Sequence, residues 1–70
     1  MNTNVTVNEL LVNTGNDVCI EIYDDINSMI PTFTFDNKYK VTPLIKEALY
    51  YACEHITQLG KRTLRIYLEG

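Results

Sequence analysis

One histidine and two cysteines are the residues of this chain best suited to chemistry near neutral pH. His55 could serve as a base, a metal ligand or a pH-sensitive contact. A base needs a nucleophile or acid oriented against it, and a structural or catalytic metal needs three or four convergent ligands. Cys53 is the nearest candidate. On the helix expected for this stretch, its two-residue offset sets it about 200° around the axis from His55, so the two cannot converge. Cys19 and Cys53 fit no CxxC or Cys/His metal spacing. Asp24 and Asp25, with Asp36 further along, lack the alternating Asx ligands and closing Glu of a calcium loop. Acidic residues in turns bond the local backbone, which accounts for them there. The expectation is no catalytic residue, no metal, no cofactor, and a protein that is not an enzyme.

Binding is the chemistry left. Tyr and Arg are over-represented among residues that anchor interfaces, and Tyr23, Arg65 and Tyr67 occupy outward positions of two expected strands. Glu21 and Cys19 share that face with them, and Thr32 and Thr34 extend it. Tyr50 falls on the polar side of an expected helix with Lys46, Glu54 and Thr57, where a large aromatic ring gains little unless something covers it. Tyr23, Tyr50, Arg65 and Tyr67 are therefore the candidate interaction surface. Strand propensity and cross-strand pairing explain the same residue types without any partner. Lys61, Arg62 and Arg65 form a small basic corner after the helix, suited to its C-terminal dipole.

The elements that position these residues follow from caps and periodicity. Thr6 and Glu9 make a capping box, with Val5 and Leu10 at the staple positions, and they predict a short helix over 7–13 that Gly15 ends in a left-handed conformation. Residues 17–23 alternate cleanly, with Val18, Ile20 and Ile22 on one side. Residues 29–35 read as a second strand, with Phe33 and Phe35 inward, and Pro31 sends it to a sheet edge. Residues 36–41 read either as a loop or as an extra short strand. Thr42 and Pro43 then suit the start of a long helix. Ile45, Ala48, Leu49, Ala52, Ile56 and Leu59 recur at helical spacing up to Gly60. Residues 63–68 form a last strand, with Leu64, Ile66 and Leu68 inward. The fold class expected is α+β. It is a two-layer α-β-β-α-β domain over 1–70, with a three-stranded, mainly antiparallel sheet in the order 2-1-3 and both helices on one face.

Composition bounds the function classes. Seventy residues at 46% hydrophobic and 21% charged make one small globular domain. A chain this short has little core to spare, which raises the expectation of a homodimer. Its net charge of −3 argues against direct nucleic-acid binding, which needs clustered cations. No apolar run reaches membrane-span length, and the first dozen residues lack the basic start and apolar stretch of a secretory signal. A cytoplasmic location with two free thiols is expected.

The stretch from Val5 to Asp25, a capped mini-helix, a glycine and the strand Asp-Val-Cys-Ile-Glu-Ile-Tyr-Asp, resembles short uncharacterised proteins of phages and prophages of Gram-positive bacteria. The resemblance implies a compact protein acting through a host or phage partner. The leading expectation is a non-enzymatic, homo-oligomeric protein-interaction module. It uses its open sheet face or the edge of the last strand. The alternatives are a phage or mobile-element inhibitor of a host defence or nucleic-acid enzyme, and a small ligand-binding or enzymatic domain completed at an oligomer interface.

Overall fold

A computed structural model describes residues 5–69. The first four positions of the segment read for a secretory signal lie outside the described residues. Over the described residues the fold is α+β, with two short helices and one four-stranded sheet. Helix α1 spans Val7–Val12 and strand β1 Cys19–Tyr23. Strand β2 is Phe33–Phe35, and a 3₁₀ turn follows at Lys38–Lys40. Helix α2 is Pro43–Lys46, strand β3 is Tyr50–Gln58 and strand β4 is Lys61–Leu68. The sheet order is β2-β1-β4-β3. Both outer pairs are antiparallel and the central β1–β4 pair is parallel.

The α1 boundary is set by the capping box. The Thr6 hydroxyl accepts from the Glu9 amide, and the Glu9 carboxylate accepts from the Thr6 amide. The helix ends at Asn13 with negative φ, so Gly15 does not act as a left-handed cap. The Thr14 hydroxyl instead donates to the Leu10 carbonyl at 2.9 Å, satisfying a terminal acceptor.

Alternation places Ile20 and Ile22 of β1 beside Leu64 and Ile66 of β4, all fully buried. Val7 and Leu11 from α1 and Ile45 from α2 cover that face, with Val18 and Val41 filling in. Both helices therefore lie on one face, as expected. Strand β2 is an edge, as Pro31 implied, but it is shorter than residues 29–35. Met29 and Ile30 are exposed in the connection, and pairing starts only after Pro31, where the Thr32 amide donates to the Ile22 carbonyl.

The largest correction concerns residues 43–59. The Thr42-Pro43 start is real, yet the helix stops at Lys46 and the rest becomes β3. Tyr50, Tyr51, Cys53, His55, Ile56 and Thr57 are all mediocre helix formers, whereas aromatic and β-branched residues suit strands. Strand β4, whose Leu64 and Ile66 are fully buried, also needs a neighbour on its second edge, and β3 supplies it through a two-residue hairpin. Leu59 and Gly60 at its tip both have positive φ, 54° and 77°, as a type I′ turn requires. The sheet thus has four strands rather than three, and the last strand is interior rather than an edge.

Candidate functional site: the open sheet face and its outer edge

The face opposite the helices is built by strand alternation. Parallel pairing sets Glu21 beside Arg65 and Tyr23 beside Tyr67, while antiparallel pairing brings Glu54 to the other side of Arg65. Arg65 Nε donates to Glu21 Oε1 at 3.1 Å, and its Nη1 lies 3.7 Å from Glu54 Oε2. The Tyr23 hydroxyl donates to the same Glu21 oxygen at 3.0 Å, and the Tyr67 hydroxyl donates to Glu54 at 3.3 Å. The rings of Tyr23 and Tyr67 stack. One guanidinium, two carboxylates and two phenols thereby satisfy one another in a band across three strands.

Three of the four sequence candidates, Tyr23, Arg65 and Tyr67, do come together here. Tyr23 is only 4% exposed, however, so it supports the face more than it presents itself. Burial, then the hydrogen bond and charge of Glu21, push its phenol above the usual value, against the pull of Arg65. Tyr50 is the exception. It opens β3, half-buried and packed on the core, rather than standing on the polar side of a helix. Burial, with smaller contributions from Cys53 and Glu9, raises its phenol as well. Ile56, expected in the core, pairs with Thr63 on the open face instead. Glu54 belongs to the network and was missed, because a helical reading turned it towards solvent.

The remaining candidates are dispersed. His55 is exposed on β3. Both cysteines are free. Cys19 lies on the open face of β1, and Cys53 packs towards the core from β3, two strands away across β4. Burial raises the Cys53 thiol, which disfavours its nucleophilic form. Asp25 caps its own turn, accepting from the Asn27 amide and the Ser28 hydroxyl. The basic corner is divided, since Arg62 pairs with Asp17 while Arg65 joins the open-face network. Among the described residues no group of three His, Cys, Asp or Glu side chains is placed to hold a metal, and no helix is long and apolar enough to cross a membrane.

The outer edge of β3 is the other feature of this region. Strand Tyr50–Gln58 contains no proline, lysine or arginine, and its register irregularity is confined to the start, between Tyr50 and Ala52, so that from Cys53 onward Glu54 alone stands among the devices that stop an edge from pairing. Its start is occupied, because the Tyr50 amide donates to the Val5 carbonyl and Thr6 bridges to Leu49. Beyond Tyr50, no described residue pairs with this edge. No family model matches the chain, and no match was found to a curated protein or to a solved structure.

Proposed function

We propose that this protein is a non-enzymatic protein-interaction module that binds by adding a strand to the outer edge of β3. The unpaired edge of Cys53–Gln58, which carries neither proline nor lysine, is the observation that carries the reading. Main-chain groups on such an edge give affinity, and side chains alternating to either face give selectivity. The adjoining open face supports the same role. Its tyrosines and arginine are held in place by Glu21 and Glu54, so a partner meets a surface already ordered and loses less entropy on docking. That mutual satisfaction engages Glu21, Glu54, Tyr23, Tyr67 and Arg65 with one another. The last strand, favoured from sequence as the docking edge, is covered on both sides, and β3 takes its place.

A photo-activatable residue at position 57, on the β3 edge, compared with one at Leu44, 81% exposed on α2, tests the reading in cells. Protein adducts are expected at position 57 well above those at 44. Equal or absent adducts at 57 would overturn it.

A further inference from the structure

The hairpin fixes which backbone groups β3 presents outward. In a two-residue β-hairpin the residues flanking the loop exchange both backbone hydrogen bonds, and here those are Gln58 and Lys61. Alternation then turns the N–H and C=O of Ile56 and Glu54 towards β4, and those of Thr57, His55 and Cys53 towards the open edge.

From this geometry we infer that the occupant of the β3 edge is a second copy of this chain, paired antiparallel about a two-fold axis at Ile56. The inference rests on the strand-addition reading above and names the partner. Two-fold pairing with the axis normal to the sheet keeps both open faces on one side, so only residues of like parity can oppose each other. An axis at Glu54 would set that carboxylate against its own copy. An axis at His55 would oppose the two imidazoles and set Glu54 against Ile56. The axis at Ile56 avoids both. It sets Ile56 against Ile56 as a close, non-hydrogen-bonded pair, with Glu54 opposite Gln58 and His55 opposite Thr57 in both directions. The outward groups of His55 and Thr57 then bond across the junction, and no like charges oppose each other. Glu54 is paired with Arg65 and accepts from Tyr67, and in this register it stands opposite the neutral Gln58 rather than its own copy. The result is one continuous eight-stranded sheet, twice the four strands of the single chain.

The test uses the intact chain and light scattering over a concentration series. Wild type should reach twice the monomer mass, while Ile56→Lys and Ile56→Glu should each stay monomeric. Their equimolar mixture should recover the doubled mass, because only self-opposition at position 56 brings the two charges together. Far-UV circular dichroism checks that both variants stay folded. Amide hydrogen exchange on wild type needs no variant. His55 and Thr57 should gain protection with concentration, whereas Ile56, bonded to β4, should be protected throughout. A monomeric wild type with concentration-independent exchange at His55 and Thr57 overturns the second copy as occupant. A dimer that both charge variants leave intact, or that their mixture fails to restore, overturns the register and with it the inference. The interaction-module reading fails separately, on loss of the adducts at position 57.

Discussion

Tyr23 and Tyr67 stack across the parallel β1–β4 pair, with ring centroids 4.7 Å apart and planes inclined by 27°. The contact ties two strands that are distant in sequence. A double-mutant cycle of Tyr23→Leu and Tyr67→Leu, followed by urea unfolding, should return a coupling of about 0.5–1.5 kcal/mol. Additive single effects would show that the rings do not act as a pair.

Alkaline pH should destabilise the fold before general deprotonation does. Tyr23 and Tyr50 have phenols raised in the folded state, chiefly by burial. Above the unfolded tyrosine value of about 10, the unfolded chain loses these protons while the folded chain keeps them. Stability therefore falls as pH rises from there through the folded values. Tyr23→Phe and Tyr50→Phe should each flatten that fall and remove one late step from the phenolate absorbance titration.

Leu59 holds a left-handed φ of 54° with its side chain fully exposed, a conformation that suits Asn or Gly. Leu59→Asn should raise stability by about 1 kcal/mol, seen as a higher urea midpoint with an unchanged slope. At the neighbouring Gly60 a Cβ would meet nothing within 4 Å, so Gly60→Ala should cost only the left-handed conformation, about 1–2 kcal/mol.

Arg65 bridges two carboxylates but is partly exposed, with 36% side-chain accessibility. Arg65→Met should lower stability at low salt, with a smaller difference at high salt. Ile66→Ala, at a fully buried position of the same strand, should cost about 2–5 kcal/mol, with little salt dependence. Thermal unfolding at two ionic strengths separates these contributions.

What could be read from sequence was what local chemistry decides. The Thr6–Glu9 box placed α1, and alternation placed β1 and β4 with their buried sides correctly assigned. Tyr23, Arg65 and Tyr67 were put on one face for the same reason. Residues 43–59 misled because Ala48 and Ala52 completed a helical stripe while contributing little apolar surface. Leu59-Gly60 is also a weaker hairpin signal than Asn-Gly. With β3 hidden, neither Glu54 nor the true sheet edge could be found. The pairing of Glu21 with Arg65 depends on a parallel register between distant segments, which no local pattern encodes.

The parallel junction at the middle of the sheet also sets the timetable of synthesis. Strand β1 emerges from the ribosome early, but its buried neighbour β4 follows only after β2, α2 and β3. Until then Ile20 and Ile22 have no Leu64 or Ile66 to close on, and the nascent chain carries an apolar strand in waiting. The β3–β4 hairpin is local and forms within about 1–10 μs once both strands are free, so its docking onto β1 is the step that completes the core. A stalled or truncated product lacking β4 would leave Ile20 and Ile22 without the strand they pack beside, making it a preferred substrate for chaperones and proteases.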